Sequence, residues 1–246
     1  MALEHLRDDT KALFEWFSRL DEARKFILIG GTAMAIHVGH RQSEDLDLVY
    51  SDGQLPPGLI RQILDTAAAA GFSVVEGSDD LRKQLAENDG RNADYDHQEW
   101  FINNVKFSFI LTGATPSMEA AIEAPHVVIN NLKIANIEAI FRSKARLLLN
   151  RQTSRDLFDI WFFIAHLGKS MAQIAEEMMA VNKYTTAEQN LTWIRNAKRR
   201  TDDPGFKSLL PDAPKSFEEL KAVLVVKIDE FEQDAAAELA KSAPKF

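Results

Sequence analysis

The sequence predicts an α+β protein, in which a mixed sheet flanked by helices fills residues 1–136 and a helical domain fills residues 137–246. Short runs of apolar, β-branched and aromatic residues recur through the first part, and such runs favour strands. Glycine and asparagine pairs separate these runs, as is typical of turns. In the second part the apolar residues instead repeat at intervals of three and four, which indicates amphipathic helices.

The composition bounds the class of protein. With 46% hydrophobic and 27% charged residues, the chain is typical of a soluble globular protein. The absence of cysteine from the sequence excludes disulfides, thiolate metal sites and cysteine nucleophiles. The net charge of −8 argues against a protein that coats nucleic acids generally. We predict a cytoplasmic protein without a membrane span, because the longest apolar run, Ile160 to Ala165, is short and the acidic N-terminus lacks a signal-peptide core.

The predicted elements lead from an N-terminal helix into a strand. Apolar residues on one face predict a helix over residues 2–21. Phe26–Ile29 has the length and β-branched content of a buried strand. Gly30-Gly31 ends that strand, and Thr32 is the expected N-cap of a short helix. The remaining predicted elements of the first part are helices over 58–70 and 80–87 and strands over 45–49, 72–75, 98–102, 105–111, 126–129 and 132–135.

In the second part, capping residues and a glycine bound the predicted helices. Thr153 and Ser154 are both N-cap residue types at the start of an apolar stretch of helical period, and Gly168 ends that stretch. The predicted helices cover residues 137–149, 154–167, 170–181, 185–200 and 216–242.

Two aspartates follow the short helix, on the second predicted strand. Asp45 and Asp47 are two residues apart, so in a strand they share one face of the sheet. Two neighbouring carboxylates can bind Mg²⁺, a hard cation that shares its oxygen ligands with substrate phosphates. The free N–H groups of a helix start beside Gly30 and Gly31 can bind a phosphate. Taken alone, Asp-x-Asp would fit a solvated strand, but the whole order of strand, glycine turn, helix and aspartates predicts a site for phosphoryl or nucleotidyl transfer.

These residues also resemble a known family signature. Gly30-Gly31-Thr32, followed after twelve residues by Asp45-Leu46-Asp47, resembles the signature of the polymerase-β-like nucleotidyltransferase superfamily. The segment GGTAMAIHVGHRQSEDLDL resembles the corresponding segment of the AbiEii/AbiGii branch of this superfamily. The match is neither a Walker A loop, which needs a lysine after its last glycine, nor a dinucleotide fingerprint, which needs three spaced glycines.

The resemblance implies a nucleotidyltransferase-like N-terminal sheet and the transfer of a nucleoside monophosphate from an NTP to an acceptor hydroxyl. It implies Mg²⁺ as the cofactor, held by Asp45 and Asp47, with the Gly30-Gly31-Thr32 turn at the β- and γ-phosphates. Members of this branch are known as toxins of bacterial toxin–antitoxin and phage-abortive systems. A tRNA acceptor and a cognate antitoxin are therefore the implied partners.

A second motif lies in the helical part. This motif consists of Lys144, Arg151, Arg155-Asp156 and Asp159. It resembles the second motif of the AbiEii branch, a basic residue followed by Asp-x-x-Asp, in which lysine is common at the position of Arg155. The resemblance implies that Lys144 and Arg151 neutralise the triphosphate. It also implies that Asp159, with Asp156, positions Lys144 or acts as an acid–base partner. Simpler roles stay open: Asp156 would complement the dipole of a helix start, and Asp159 would pair with an arginine one turn away.

One position departs from the superfamily pattern. The superfamily usually carries a third acidic residue on the strand that matches VKFSFIL, and Ser108 stands there. If Asn103-Asn104 forms a two-residue turn, Glu99 lies opposite Ser108 on the same face and could supply the third metal carboxylate. A turn one residue longer would change the register, and Glu99 would then be a solvated residue of the hairpin.

Other roles and functions stay open. Arg41 and Ser43 precede the two aspartates and either contact a phosphate of the nucleotide or cap the loop. A small-molecule nucleotidyltransferase, such as one that modifies antibiotics, would use the same site with a different acceptor. A catalytically weak nucleotide-binding module would keep the fold, and Ser108 in place of an acid favours it. A protein of purely structural function would carry Asp-x-Asp incidentally.

Overall fold

The computed structural model of the protein describes residues 3–77, 80–90, 92–113 and 115–242. These residues fall into two units, divided between Ile140 and Phe141. The first unit holds a seven-stranded mixed sheet with helices, and the second is helical. The predicted α+β fold class is therefore confirmed. Among the helices in the described ranges, none combines the length and the hydropathy that a membrane span requires.

The elements have the following bounds. The strands are β1 (Phe26–Ile29), β2 (Leu46–Tyr50), β3 (Val74–Glu76), β4 (His97–Ile102), β5 (Val105–Leu111), β6 (Val127–Ile129) and β7 (Leu132–Ile134). The helices are α1 (Asp8–Phe17), α2 (Gly30–Val38), α3 (Pro57–Ala69), α4 (Asp80–Asn88), α5 (Pro116–Ala121), α6 (Ile137–Leu147), α7 (Ser154–Leu167), α8 (Met171–Val181), α9 (Ala187–Arg195) and α10 (Phe217–Ser242). Short 3₁₀ helices cover Leu3–His5, Asp21–Lys25 and Ala93–Tyr95.

The sheet brings together strands that are distant in the sequence. In the described residues its order is β3-β4-β5-β2-β1-β7-β6. β1 runs antiparallel to β2 and parallel to β7, whereas β2 runs parallel to β5. β4 and β5 form an antiparallel hairpin. The centre of the sheet is therefore formed by β5, β2 and β1. Ser108 lies on β5, Asp47 lies on β2, and the glycine turn follows β1.

β5 is amphipathic and separates a core face of the sheet from a polar face. Phe107 and Phe109 are fully buried. Lys106 and Ser108 alternate with them along the strand and therefore point to the opposite face. The ring of Phe107 lies edge-on to that of Phe17 in α1, with centroids 5.1 Å apart. This aromatic packing under α1 fixes which side of β5 faces the core.

The hairpin of β4 and β5 has the predicted two-residue turn. Asn103 and Asn104 both have positive φ angles, 48° and 63°, as a tight hairpin turn of this kind requires. The Asn103 side chain also accepts a hydrogen bond from the Ser73 N–H at 2.8 Å. The turn sets the register, in which Glu99 lies opposite Ser108. The predicted register is confirmed.

The predicted helix over residues 2–21 is wrong as one continuous element, and residue 2 itself lies outside the described residues. Arg7 is extended, with a ψ angle of 150°, and interrupts the helix before α1. The extended backbone lets Leu6 form a β-bridge with Ser43 in the loop before β2. This bridge ties the N-terminal segment to the aspartate-bearing loop, which a continuous helix would not do.

The prediction that Thr32 is the N-cap of the short helix is wrong. Helix α2 begins at Gly30, and Ile29 is its N-cap residue. The φ angle of Gly30 is +74°, a conformation that glycine adopts without the penalty of a side chain. The chain therefore turns from strand into helix with no intervening residue. Thr32 lies inside the first turn and is buried.

Several other elements differ from prediction at their ends, β2 and α9 among them. β2 begins at Leu46, one residue after the predicted start, so Asp45 lies just before the strand. α9 is shorter than the predicted helix over residues 185–200, because a capping box at Thr186 starts it later and it ends at Arg195.

Replacement of Phe107 tests the core face of the sheet. Phe107→Ala should lower the free energy of unfolding by about 3–5 kcal/mol, because it removes a fully buried ring and leaves a cavity. Urea denaturation followed by circular dichroism measures the change. The matched control is Phe101→Ala on β4, whose ring is 37% exposed and should lose less than half as much. An equal loss in the two variants would contradict the core position of Phe107.

Candidate active site

Three side chains of the central strands lie side by side on the polar face of the sheet. Glu99 of β4 is opposite Ser108 of β5, and Ser108 is opposite Asp47 of β2. Opposed residues of neighbouring strands point to the same face. Glu99, Ser108 and Asp47 therefore form one line across the sheet, here called the polar row.

A glycine lies against each end of the polar row. Asp47 is opposite Ile29, the last residue of β1, and a Cβ atom on Gly30 would lie 2.8 Å from Asp47 Oδ2. At the other end, a Cβ atom on Gly77 would lie 2.9 Å from Glu99 Cγ. Both distances are too short for non-bonded carbon and oxygen atoms. Only glycine lets the backbone approach both carboxylate side chains so closely.

Lys106 joins the polar row through an ion pair. Its Nζ lies 2.6 Å from Glu99 Oε2, and the negative charges of Asp47 and Asp45 also act on it. Burial alone would lower the pKa of Lys106, but Glu99 and the two aspartates outweigh burial and raise the pKa above its ordinary value. Sequence reasoning did not single out Lys106, although the alternation of β5 places it on the face of Ser108.

Ser108 is the buried centre of the polar row. It is 1% exposed, and its hydroxyl has no hydrogen-bond partner within the described part of the chain. A buried hydroxyl without a partner is costly, so a bound group that contacts it would stabilise the row.

The oxygen atoms around Ser108 suit a hard divalent cation. Asp45, Asp47 and Glu99 offer carboxylates, the ligands that Mg²⁺ prefers, and Mg²⁺ commonly binds one or two of them together with substrate phosphates. In residues 3–77, 80–90, 92–113 and 115–242, no three acidic or histidine side chains form a metal site by themselves. The residues present fit Mg²⁺ bound jointly with phosphate oxygens, and Glu99 as a ligand stays a prediction.

Thr32, Ser43 and Arg41 hold the loop before β2 on the start of α2. The Thr32 hydroxyl donates to the carbonyl of Asp45 and lies 3.0 Å from Ser43 Oγ. Arg41 is 3% exposed, and a Cβ atom on Gly31 would lie 2.6 Å from Arg41 Nη2. These contacts support the loop-fixing alternative for Arg41 and Ser43. A contact between either residue and a nucleotide stays a prediction.

A second group of charged side chains lies in the helical unit. Lys144 Nζ lies 2.7 Å from Asp159 Oδ2 and 3.5 Å from Asp156 Oδ1. Arg151 donates from Nε to Asp156 Oδ2 at 2.8 Å and from Nη2 to Asp156 Oδ1 at 3.0 Å. These four residues, here called the buried ion cluster, carry two positive and two negative charges. The balance matters because Lys144 and both aspartates are buried, and an unpaired buried charge is costly.

Asp156 is fixed by the start of α7 as well as by the cations. The Thr153 N–H donates to Asp156 Oδ2 at 3.3 Å and the Asp156 N–H donates to Thr153 Oγ1 at 3.3 Å, which together form a capping box. The Thr153 hydroxyl also donates to Asp156 Oδ2, at 2.6 Å. Burial alone would raise the pKa of Asp156. The charge of Lys144 and the hydrogen bonds from Arg151 and Thr153 outweigh burial and hold the pKa below its ordinary range. Helix capping and ion pairing therefore coexist at this residue.

Asp203 anchors the same helix start and was missed by sequence reasoning. Ser154 donates its N–H and its hydroxyl to Asp203 Oδ2, at 2.8 and 2.9 Å. The Gly205 N–H donates to Asp203 Oδ1 at 2.8 Å, and Arg155 Nε donates to the Gly205 carbonyl at 3.3 Å. Asp203 thereby holds the first turn of the helix that carries both aspartates of the buried ion cluster. No local sequence signal links residues so far apart.

Comparison with protein families identifies the class of protein and then the family. Residues 11–240 match a family of nucleotidyltransferases, and this range includes the polar row and the buried ion cluster. The family is described as the nucleotidyl transferase AbiEii toxin of type IV toxin–antitoxin systems. The chain belongs to this AbiEii family, and the resemblance inferred from the two motifs is confirmed.

Solved structures resemble the chain at low sequence identity. JHP933 from Helicobacter pylori is 15% identical, with a TM-score of 0.44 over 97% of this chain and 100% of that chain. MenT4, a nucleotidyltransferase toxin from Mycobacterium tuberculosis H37Rv, is 12% identical, with a TM-score of 0.48 over 88% of this chain and 82% of that chain. The Megavirus polyadenylate synthase is 11% identical, with a TM-score of 0.41 over 66% of this chain and 32% of that chain. No curated protein matches the chain.

The pH dependence of stability tests the buried ion cluster. Because the pKa of Asp156 is lowered by folding, its stabilisation is present above the unfolded pKa of about 3.9 and is lost as the pH falls below it. Asp156→Asn should lower the free energy of unfolding at pH 7 by about 3 kcal/mol. It should also flatten the loss of stability between about pH 5 and pH 2.

Urea denaturation at a series of pH values measures both effects. The matched control is Glu230→Gln, which removes one carboxylate of an exposed pair with Lys227 in α10 and should cost at most about 0.5 kcal/mol. If Asp156→Asn and the parent lose stability in parallel on acidification, the ionised state of Asp156 does not contribute to folding.

Proposed function

We propose that this protein transfers a nucleoside monophosphate from an NTP to a hydroxyl group of tRNA in a Mg²⁺-dependent reaction. The observation that carries the proposal is the contact between Gly30 and the Asp47 carboxylate. It puts a candidate metal ligand beside the first turn of α2, whose free N–H groups can bind phosphate. A nucleotide needs both features at one place, because its phosphates share their oxygen atoms with the metal ion.

The residues of the first unit would divide the work of binding. Asp45 and Asp47 would hold Mg²⁺, with Glu99 as a third carboxylate. The backbone of the Gly30-Gly31-Thr32 turn would bind the β- and γ-phosphates. When bound, Mg²⁺ supplies positive charge that offsets the negative charge developing on the phosphate oxygens. Arg41 and Ser43 support this arrangement by fixing the loop before Asp45, and Ser43 also lies 3.0 Å from Thr32 Oγ1.

The proposed reaction is a substitution at the α-phosphorus. The acceptor hydroxyl oxygen forms a bond to that phosphorus, and the bond from phosphorus to the oxygen bridging toward the β-phosphate breaks. Pyrophosphate leaves with the bonding electron pair, and the hydroxyl proton passes to solvent. The chain's part is to orient the triphosphate, since most of the catalysis in such transfers comes from positioning and charge stabilisation.

The buried ion cluster would complete the proposed machinery in the helical part. As the family resemblance implies, Lys144 and Arg151 would neutralise the triphosphate. For Asp159 the positioning role is favoured, because its Oδ2 lies 2.7 Å from Lys144 Nζ. Asp156 would hold Arg151 in the same way, through two hydrogen bonds. We propose accordingly that residues 1–136 form the nucleotidyltransferase-like domain and residues 137–246 a helical domain.

The family also bears on the partners. Type IV toxin–antitoxin systems pair a toxin with an antitoxin, and we propose that a cognate antitoxin counteracts this chain. NTPs and tRNA are found in the cytoplasm, so the proposed reaction would take place there. A nucleotide-binding module with little turnover is the second candidate, because a serine occupies the position of the third acid in the polar row.

Transfer of label to RNA tests the proposed function. Purified protein is incubated with Mg²⁺, total tRNA and each α-labelled NTP in turn. The parent should label tRNA with at least one NTP, and Asp47→Asn should reduce the rate by at least about 10²-fold, because it removes a metal-binding charge. Asp65→Asn is the matched control: it removes an exposed carboxylate of α3 that pairs with Arg61, and its rate should equal that of the parent.

The other outcomes separate the alternatives. NTP binding without labelled RNA, but with label on an aminoglycoside, would indicate a small-molecule transferase. NTP binding without any transfer would favour the binding module. Equal rates for Asp47→Asn and the parent would contradict the proposed role of the polar row.

A further inference from the structure

A second line of side chains runs beside the polar row, on the same face of the sheet. Phe101 follows Glu99 by two residues on β4, so the two side chains share a face. Phe101 is opposite Lys106 of β5 and opposite Val75 of β3. Val75, Phe101 and Lys106 therefore lie next to one another, one step along the strands from the polar row.

The two apolar members of this line are exposed. Val75 is 59% exposed and Phe101 is 37% exposed, whereas Ile102, the next residue of β4 and on the core face, is fully buried. Val75 and Phe101 are here called the apolar platform. Exposed apolar residues are common on protein surfaces, so the position of the platform relative to the proposed reaction decides what it can bind.

The apolar platform lies on the side of the polar row from which an acceptor would approach. The helix start proposed for the β- and γ-phosphates follows β1. In the sheet, β1 lies on one side of β2, the strand of Asp47, while β5 and β4 lie on the other side. The attacking and leaving oxygens of a phosphoryl transfer are roughly in line. A hydroxyl that displaces pyrophosphate toward β1 therefore approaches from the side of β5 and β4.

The distance between the aspartates and the apolar platform suits one nucleotide. β4 lies two strands away from β2 in the sheet. Neighbouring strands are about 4.8 Å apart, so Phe101 lies on a strand about 10 Å across the sheet from that of Asp47. A nucleotide whose hydroxyl reaches the α-phosphorus above Asp47 can place its own base over Phe101.

The chemistry of the line matches an unpaired nucleotide. Sites for single-stranded nucleic acids combine aromatic rings, on which bases stack, with cations that contact the backbone. Phe101 supplies the ring, and Lys106 supplies a cation directly opposite it. An ammonium group has three N–H donors. Lys106 can therefore keep its 2.6 Å contact with Glu99 Oε2 and also donate to a phosphate oxygen.

We propose that the apolar platform is the acceptor subsite, where the base of the unpaired nucleotide that carries the acceptor hydroxyl stacks on Phe101 and contacts Val75. This inference rests on the proposed function and adds to it the surface that binds the acceptor. It predicts that the platform contributes to the binding of RNA and not to the binding of the NTP. Because every base has a face that can stack, it also predicts little base preference at that position of the RNA.

Two RNA probes test this inference directly. Each is a fluorescent RNA hairpin with an unpaired 3′ end, and the second probe carries an abasic ribose as its last nucleotide. Fluorescence anisotropy with Mg²⁺ present measures their affinities. Phe101→Ala should bind the first probe about tenfold more weakly than the parent, because stacking of the ring on the base is lost. The parent and Phe101→Ala should bind the abasic probe equally, because that probe has no terminal base.

Further variants separate stacking from damage to the fold. Phe101→Trp keeps an aromatic ring and should bind the first probe at least as tightly as the parent. Val75→Ala should weaken binding of that probe less than Phe101→Ala does. Val128→Ala is the matched control, because Val128 is 60% exposed on β6, at the opposite edge of the sheet. Its affinity for both probes should equal that of the parent.

The outcomes separate this inference from the proposed function. Equal binding of the first probe by Phe101→Ala and the parent would overturn the inference alone, since label transfer with Asp47→Asn tests the reaction site separately. An equal loss of affinity for the two probes would also overturn it, because the terminal base would then not contact the ring.

Two other occupants of the apolar platform would each contradict the inference. If isothermal titration calorimetry shows that Phe101→Ala loses affinity for the Mg²⁺–NTP complex while it keeps its affinity for RNA, the platform binds the base of the NTP. If the parent dimerises in sedimentation experiments and Phe101→Ala does not, the platform binds a second copy of the chain. A parent that binds neither RNA nor an NTP would overturn the inference and the proposed function together.

Discussion

The close approach of Gly30 to the Asp47 carboxylate is the constraint on which the candidate active site depends. β1 and β2 are antiparallel, so the end of β1 lies beside Asp47, and the chain must turn into α2 without a side chain that would strike Oδ2. The positive φ angle of Gly30 allows that turn. Thr32 then fixes the other end of the loop by donating to the Asp45 carbonyl. One glycine thereby sets the position of a helix start and of two carboxylates together.

The two units handle their charged side chains differently. In the buried ion cluster, two cations balance two aspartates, and the capping box at Thr153 adds further hydrogen bonds to Asp156. Removal of one member of this network leaves a buried charge unpaired. Around the polar row, Lys106 pairs with Glu99, and the Ser108 hydroxyl between Glu99 and Asp47 has no hydrogen-bond partner among the described residues. That buried hydroxyl is the physical reason to expect a bound group at that place.

Local sequence patterns predicted what depends on neighbouring residues. The apolar runs predicted the strands, and the Asn103-Asn104 turn predicted that Glu99 lies opposite Ser108, because a two-residue turn leaves a hairpin no other register. The same reasoning failed at Thr32, because a threonine after two glycines has the composition of an N-cap while Gly30 itself starts the helix. The same hairpin register, with the alternation of β5, also places Lys106 on the face of Glu99, although Lys106 was not singled out from the sequence. Asp203 could not be found from local patterns, because its partner Ser154 is 49 residues away in the sequence.

A crystal structure grown with Mn²⁺ and a non-hydrolysable NTP analogue tests most directly whether the polar row is a metal–nucleotide site. Anomalous diffraction at the manganese edge locates the ion without reference to the protein density. We expect an anomalous peak in contact with the carboxylates of Asp45 and Asp47, with the triphosphate at the start of α2. A manganese ion bound elsewhere, or a nucleotide bound without contact to Asp47 and Gly30, would contradict the proposed function of this site.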